Sequence, residues 1–297
     1  MTSLSKLYSD IYHIYVIGDF GRVATYEFCN KFVESEKQMI ENILGHNDFY
    51  DEYRKTMITV NSYLPLIKEE QINKLKTQSG FLDDSILIGF PDGMTIDDVI
   101  NKFCVMLISF LLSSEQISKS KIITLPCNTL SPALIKIEEI FNNHDQLKKI
   151  IKNNKISISE KEILYILNNK RIKYITVAEA VITHLTNKNY KYVLPLGTSD
   201  ISKIYSYESS RSTKEIKVLS ASKNLQKNVF SAIKACIKNS ENEIEHFKHA
   251  IINEIKEYEQ QYNSPVAIVE ACTDLNLGIG YNSLNLYADY LAKHIYM

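Results

Sequence analysis

The sequence predicts an α/β protein built from two similar three-layer α/β/α halves, each with a mainly parallel sheet. Short apolar runs of strand length alternate along the chain with longer amphipathic stretches of helical length and period. Strands that alternate with helices form parallel sheets with helices on both faces, so this alternation indicates the fold class. Two similar cysteine motifs, half a chain apart, indicate that the halves are related by a pseudo-twofold axis with a cleft between them.

The first half begins with Ile11 to Gly18 (IYHIYVIG), which is typical of a buried strand that ends in glycine. A helix is predicted from Val23 to Ile43 and a second strand from Thr56 to Val60. Ile96 to Ser113 has the length of a helix, and Lys121 to Leu125 (KIITL) has the length and composition of a strand.

Four further short apolar runs predict buried strands later in the chain: Ile172 to Thr176, Tyr192 to Leu196, Glu215 to Leu219 and Val266 to Glu270. We expect an N-terminal domain formed by residues 1–125 together with 280–297. Residues 126–279 are expected to form a C-terminal domain with a helical insert at 131–171, a stretch rich in Asn, Lys and Ile.

Composition excludes several classes of protein. Of the 297 residues, 45% are hydrophobic, which is enough to form a core, and the net charge is only -1. We therefore expect no nucleic-acid partner and no attraction to an anionic membrane. The longest apolar run, Phe103 to Leu112, is far shorter than the roughly 20 residues that span a bilayer. With no signal peptide recognised, the protein is expected to be soluble and cytoplasmic.

Ligands of parallel α/β sheets bind beyond the carboxyl ends of the strands. The residues that follow the predicted strands are small, polar or nucleophilic, as a site requires. They are Gly18-Asp19-Phe20-Gly21, Asn61-Ser62, Pro126-Cys127-Asn128-Thr129, Gly197-Thr198-Ser199 and Ala271-Cys272-Thr273-Asp274. Turns and helix caps also favour Asn, Ser and Thr, so this pattern alone leaves a structural role open for each of them.

The chain has five cysteines, at wide spacings and without a CxxC pair, so neither a disulfide framework nor a structural zinc site is expected. Cys29, Cys104 and Cys236 are predicted to be small buried residues. Cys127 and Cys272 differ, because each follows a buried strand and has a threonine within two residues. This repetition indicates an internal duplication in which each half supplies one thiol to a shared cleft.

An ordered series of short motifs runs through nearly the whole chain. The series is YVIGDFGRVAT (Tyr15 to Thr25), VNS (Val60 to Ser62), LPCNT (Leu125 to Thr129), GTSDISKIY (Gly197 to Tyr205), QKNV (Gln226 to Val229) and EACTDL (Glu270 to Leu275). It resembles the aspartate/glutamate racemase superfamily, whose members need no pyridoxal phosphate. The two cysteine motifs match most closely, with Asp274 where the family usually has glutamate.

The resemblance implies that Cys127 and Cys272 are the acid and base at the α-carbon of a small amino acid or carboxylate, without a cofactor. It also suggests a homodimer. The candidate substrate-binding residues are Gly18, Asp19, Asn61, Asn128, Thr129, Thr198, Lys227 and Thr273. Both cysteines are expected where a strand turns into a helix, because backbone N–H groups and the helix dipole stabilise a thiolate there.

The histidines do not indicate a competing metal centre. His246 and His249 have helical i, i+3 spacing, but no further ligands occur at useful spacing, and a solvated helix face is expected. His13 and His184 fall within apolar patterns and are predicted to be semi-buried. No metal site is therefore predicted.

The sequence departs from the family pattern at four places. Leu64-Pro65-Leu66-Ile67, with Lys68 one place on, replaces the stretch whose arginine holds the aspartate side chain, and a displaced lysine is not equivalent to that arginine. Ser131 stands where many relatives have histidine. Asp19 is unsuited to an acidic ligand unless it points away, pairs with Arg22 or binds a cationic group. The link after Leu130 is longer than usual, and we expect the excess to form a lid or an oligomer contact.

These features favour an amino-acid racemase whose side-chain specificity is open, with aspartate or glutamate as the default. One alternative is a cis–trans isomerase or a decarboxylase of a small dicarboxylate. The other is an inactive carboxylate-binding relative. Retention of both cysteines disfavours the decarboxylase and the inactive protein.

Overall fold

The computed structural model describes residues 12–18, 22–45, 56–62, 96–113, 120–168, 171–198, 201–212 and 216–297. These residues form two four-stranded sheets with helices, and every strand pair is parallel. The strand order is β2-β1-β3-β4 in the first sheet and β6-β5-β7-β8 in the second, so the same order recurs in the second half. The predicted α/β fold class is confirmed.

The first sheet consists of β1 (Tyr12–Gly18), β2 (Thr56–Ser62), β3 (Ser120–Thr124) and β4 (Ile172–Ile175). Its helices are α1 (Arg22–Leu44), α2 (Ile96–Ser113), α3 (Ser131–Phe141), α4 (His144–Asn153) and α5 (Glu160–Asn168). In the register of this sheet, Gly18 lies opposite Ser62 and Val16 opposite Thr124. The carboxyl ends of β1, β2 and β3 therefore lie along one edge.

Residues 131–171 contribute to the core of the first half. Helices α3, α4 and α5 bury Leu134, Leu147 and Ile163 in the same apolar cluster as Phe103 of α2. Asn154, just after α4, exchanges amide hydrogen bonds with Asn101 of α2, at 2.8 and 3.1 Å. This packing supports the first half directly, whereas the sequence had suggested a lid or an oligomer contact.

The second sheet consists of β5 (Tyr192–Leu196), β6 (Lys217–Val218), β7 (Val266–Glu270) and β8 (Tyr281–Asn282). Its helices are α7 (Ile201–Arg211), α8 (Lys223–Ile237) and α9 (Glu241–Tyr262). Leu196 lies opposite Glu270, and Glu270 lies opposite Asn282, so the ends of β5 and β7 and the short edge strand β8 are aligned. Helix α6 (Val177–Asn187) links the sheets, and α10 (Ser283–Tyr296) closes the chain.

Strand membership differs from the predicted domain bounds at two points. The segment Ile172–Ile175 pairs with β3 in the first sheet, although 126–279 was expected to form the C-terminal domain. Conversely, Tyr281–Asn282 pairs with β7 in the second sheet, although 280–297 was assigned to the N-terminal domain. A four-residue strand pattern identifies a strand but carries no information about its sheet, which explains both differences.

Each sheet is buried on both faces. Along β1, Ile14 and Val16 join one apolar cluster while Tyr15 and Ile17 join another, as the two-residue period of a strand requires. The cluster that holds Ile14 and Val16 also contains Val193 of the second sheet. One core is thus shared between the halves, and each half has a further core on its outer side.

Several helices begin at residues whose side chains satisfy exposed backbone N–H groups. The side-chain oxygens of Asn143, Thr176, Ser222 and Asn282 each accept a hydrogen bond from the N–H three residues later. Within the described ranges, no helix has the length and apolarity needed to cross a membrane.

Candidate active site

The turns after β3 and β7 carry the two candidate thiols. Both strands have their carboxyl ends at the ligand-binding edge of a parallel sheet. Cys127 packs against the outer core of the first half and Cys272 against the outer core of the second. Both side chains are half-buried, and the charge of Cys127 raises the pKa of Cys272. The two thiols, one from each half, are therefore near enough for their charges to interact.

The Cys127 turn leads directly into a helix. Cys127 has an extended backbone (φ −145°, ψ 114°) and precedes a 3-10 turn, Asn128–Leu130, which continues into α3. Its N–H donates to the Leu125 carbonyl at 2.8 Å, and its own carbonyl accepts from the Leu130 N–H at 3.3 Å. The Ser131 hydroxyl, which stands where relatives have histidine, donates to the same carbonyl at 3.5 Å. Cys127 therefore lies between a strand and a helix, as the sequence predicts.

Asn128 joins the Cys127 turn to two distant helices. It is buried, its Nδ2 donates to Ser283 Oγ at 3.0 Å, and its Oδ1 accepts from the Tyr205 hydroxyl at 3.0 Å. Tyr205 is also fully buried, and burial raises the pKa of its hydroxyl far above its usual value, so that it stays a hydrogen-bond donor. The Asn128 amide thus already makes two hydrogen bonds within the protein. Its predicted role in binding substrate stays a prediction.

A buried tyrosine holds the end of β3. The Tyr287 hydroxyl contacts Thr124 Oγ1, donates to the Ile175 carbonyl at 2.6 Å and accepts from the Leu125 N–H. Burial is the main reason why the pKa of Tyr287 is well above its usual value. These bonds fix the two residues that precede Pro126-Cys127.

The Cys272 turn differs from the prediction. Residues 272–280 form turns and bends, and the next helix begins only at Ser283, so Cys272 is not at a helix N-terminus. Burial, the nearby Asp274 carboxylate and the Cys127 charge raise the pKa of the Cys272 thiol to about 12, against the effect of the Asp274 and Leu275 N–H groups. The expected lowering of the Cys272 pKa is therefore wrong.

Glu270 anchors the loop that follows Cys272. This buried carboxylate accepts the Ile279 N–H at 2.9 Å and further N–H groups of Leu277, Gly278 and Gly280. Burial raises the pKa of Glu270, while the N–H bonds act in the opposite direction. The loop therefore wraps around a side chain two positions before Cys272.

Gly197 lies against the Cys272 turn. A Cβ at this position would meet the Ala271 carbonyl oxygen at 3.2 Å, and the Gln226 amide donates to the Gly197 carbonyl at 2.8 Å. Lys227, which was predicted to bind substrate, is exposed on α8. It is therefore Gln226, beside it in the same motif, that reaches this edge of the sheet.

Some of the remaining predicted residues lie within the described part of the chain and others lie outside it. Thr198 and Thr273 are half-buried and lie beside the ends of β5 and β7. Gly18 ends β1, where a Cβ would meet Thr25 Cγ2 at 3.0 Å. The backbone of Asn61 lies in β2, opposite Ile17. Outside the described residues and side chains are Asp19, the side chains of Asn61, Thr129 and Arg22, and the stretch from Leu64 to Lys68.

An acidic pair lies near Cys272. Burial raises the pKa of Asp274, and the Glu27 carboxylate on α1 raises it further. Glu27 belongs to the first half, so the interaction crosses between the halves. No sequence signal identified Glu27, which is one of many charged residues on a helix, or the role of Ser283 or Tyr287.

Among the described residues, no group of three His, Cys, Asp or Glu side chains could hold a metal ion. His246 and His249 are exposed on α9, where His249 lies 3.3 Å from Glu245. His13 is buried, and its Nε2 lies 2.7 Å from Thr59 Oγ1. The predicted solvated face of α9 is confirmed.

No family profile matches the sequence, and no protein of curated function matches it either. The fold is similar to two solved structures. One, a protein from Yersinia pestis described as a candidate Asp/Glu racemase, shares 12% identity over 97% of this chain and 100% of its own, with a TM-score of 0.55. The other is an aspartate racemase homologue from Pyrococcus horikoshii OT3, at 15% identity over 95% of this chain and 98% of its own, with a TM-score of 0.51. These two likenesses confirm the predicted fold.

Proposed function

We propose that the chain is an amino-acid racemase that needs no cofactor and uses Cys127 and Cys272 as acid and base at the α-carbon. The observation that carries this proposal is the equivalent position of the two half-buried thiols, each just after a central strand in a different half and near enough for their charges to interact. A base on one face of a carbon and an acid on the other is the arrangement that inversion requires.

The surroundings of Cys272 favour its thiol form. Burial, the Asp274 carboxylate and the charge of Cys127 raise its pKa to about 12, so Cys272 keeps its proton at neutral pH. In one direction, the Cys127 thiolate removes the α-proton while the Cys272 thiol donates a proton to the opposite face. The products are the enantiomer, a Cys127 thiol and a Cys272 thiolate, which is the starting state of the reverse reaction.

The turns around the thiols supply groups for a substrate carboxylate and amine. We propose contacts from Asn61, Asn128, Thr129, Thr198, Lys227 and Thr273, with Gly18 and Asp19 at the end of β1. Aspartate or glutamate is the default substrate. Asp274 and Glu27, however, disfavour a second carboxylate on their side of the cleft. We further propose that the protein acts as a cytoplasmic homodimer.

The test is α-hydrogen exchange. Each of a panel of acidic, polar and basic L-amino acids is incubated with the protein in deuterium oxide and followed by NMR. We expect loss of the α-proton signal with at least one of them, and at least about a thousandfold slower formation of the D-enantiomer in Cys127→Ala and Cys272→Ala. Cys236→Ala, another half-buried thiol, is the matched control and should exchange normally.

Failure of every amino acid to exchange would reject a racemase. Parallel assays with maleate and malonate then separate a cis–trans isomerase from a decarboxylase. If the protein racemises its substrate but Cys127→Ala or Cys272→Ala keeps full racemase activity, the two-base mechanism is rejected.

A further inference from the structure

Helix α10 contacts the chain on both sides of Cys127. Ser283 and Tyr287 are four residues apart and therefore lie on one face of this helix. Ser283 Oγ accepts the hydrogen bond from Asn128, immediately after Cys127. The Tyr287 hydroxyl binds the Leu125 N–H and contacts Thr124, immediately before Pro126-Cys127.

The same helix is joined to the Cys272 turn. Asn282 caps its first turn by accepting the Asn285 N–H at 3.1 Å, and it pairs with Glu270 across the β7–β8 ladder. Glu270 in turn binds the loop from Leu277 to Gly280. The ten residues between Cys272 and Ser283 are thus held at their middle and at their end.

The side chains through which α10 contacts the Cys127 turn are buried. Ser283 and Asn128 are 1% exposed and Tyr287 is 0% exposed. Buried hydrogen bonds of this kind specify one geometry, because moving either partner leaves polar groups without water or protein to satisfy them. A helix that is stiff over its length can therefore transmit the position of one turn to the other.

We propose that Ser283 and Tyr287 are positioning residues and that α10 sets the distance between the Cys127 and Cys272 thiols. The effect of α10 on catalysis rests on the proposed racemase function. Its effect on the distance between the two thiols holds whether or not the protein is a racemase. Proton transfer on opposite faces of one carbon tolerates little displacement of either thiol, since a shift of about 1 Å costs up to about a hundredfold in rate. Neither residue acts on the substrate in this account.

A matched control exists on the same helix. Tyr296 is also buried, and its hydroxyl donates to Glu36 Oε1 on α1 at 2.7 Å, with no described contact to either cysteine turn. Tyr287→Phe and Tyr296→Phe each delete one buried hydroxyl from α10. If α10 positions the two thiols, only Tyr287→Phe should change the distance between Cys127 and Cys272.

The experiment measures thiol separation without relying on catalysis. Purified full-length variants are treated with dibromobimane, which joins two thiols only when they are close, and the Cys127–Cys272 product is quantified by peptide mass spectrometry. We expect wild type and Tyr296→Phe to form it equally, and Tyr287→Phe to form at least about threefold less. In the exchange assay, Tyr287→Phe should lower kcat by about tenfold to a hundredfold with KM within about twofold.

Ser283→Ala keeps the proposal testable if Tyr287→Phe does not fold, and Ser283→Thr should restore the product because it retains the hydroxyl. Wild-type yields from folded Tyr287→Phe and Ser283→Ala proteins would overturn the proposal, as would absence of the product in wild type. A selective loss in the Tyr287 variant, without exchange activity in wild type, would support the positioning role and reject the racemase.

Discussion

The turns that carry Cys127 and Cys272 are equivalent in topology but are held in different ways. Cys127 enters a helix, and its neighbours are fixed by side chains from far along the chain, Tyr205, Ser283 and Tyr287. Cys272 enters an irregular loop whose backbone N–H groups surround the local carboxylate of Glu270. Equivalent positions of a duplicated fold can thus be stabilised by unrelated contacts.

The electrostatic surroundings also differ. Described acidic groups, Asp274 and beyond it Glu27, lie on the Cys272 side, and burial and Asp274 raise the pKa of that thiol to about 12. Asn128 offers a neutral amide beside Cys127. The comparison predicts that Cys272 is the proton donor in the proposed reaction. Three experiments test how the two turns differ.

The largest effect on stability is expected from Glu270→Ala. It removes a buried carboxylate that accepts several N–H groups of the Cys272 loop, so the free energy of unfolding should fall by about 3 kcal/mol. Glu270→Gln retains one acceptor oxygen and should cost less. Chemical denaturation measures both, and Glu257→Ala at an exposed position of α9 provides a reference. A cost below 1 kcal/mol for Glu270→Ala, on the order of a surface substitution, would show that the loop does not depend on this carboxylate.

Glycine substitutions compare the backbone packing of the two halves. At Gly280, in the Cys272 loop, a Cβ would lie 2.8 Å from the Ile268 carbonyl carbon, so backbone must move. At Gly18, in the first half, the nearest atoms are side-chain ends, Thr25 Cγ2 at 3.0 Å and Val60 Cγ1 at 3.1 Å. We expect Gly280→Ala to destabilise by about 2–3 kcal/mol and Gly18→Ala by about 1 kcal/mol, as measured by thermal and denaturant unfolding. The reverse order would contradict the account.

The smallest effect is expected from Asp274→Asn. Removing this carboxylate removes one of the charges that raise the Cys272 pKa, so the thiolate should form at lower pH. Alkylation of Cys272 by iodoacetamide at pH 9, followed by peptide mass spectrometry, should become about threefold faster. Asp145→Asn, at a fully exposed position in the first turn of α4, should leave the rate unchanged. A slower rate in Asp274→Asn would give the wrong sign for the proposed electrostatics.

The sequence was sufficient for features with a local signature. Strand and helix alternation, the ends of β3 and β7, and the two thiols all follow from short apolar runs and from residues next to them. The helix expected after Cys272 did not follow, because the loop from Leu277 to Gly280 gains its backbone bonds from Glu270 instead of from a helix. A local pattern cannot show which side chain will accept those N–H groups.

Contacts between residues far apart in the chain could not be predicted from the sequence. Asn128 meets Ser283 across 155 positions and Thr124 meets Tyr287 across 163, and no spacing rule connects such residues. For the same reason, the pairing of β4 with β3 was missed, since three helices intervene before β4 returns to the first sheet. Tyr205 lies inside a motif quoted for its resemblance, but its bond to Asn128 required the fold.

The central claim is that two thiols act on opposite faces of one carbon, and the isotopic pattern of the first turnovers in deuterium oxide tests it most directly. Because the thiol that donates has exchanged its hydrogen with solvent, a two-base enzyme should give product fully deuterated at the α-carbon while the remaining substrate keeps its hydrogen. Product that retains the substrate's own α-hydrogen, or substrate that gains deuterium as fast as product forms, would contradict the account.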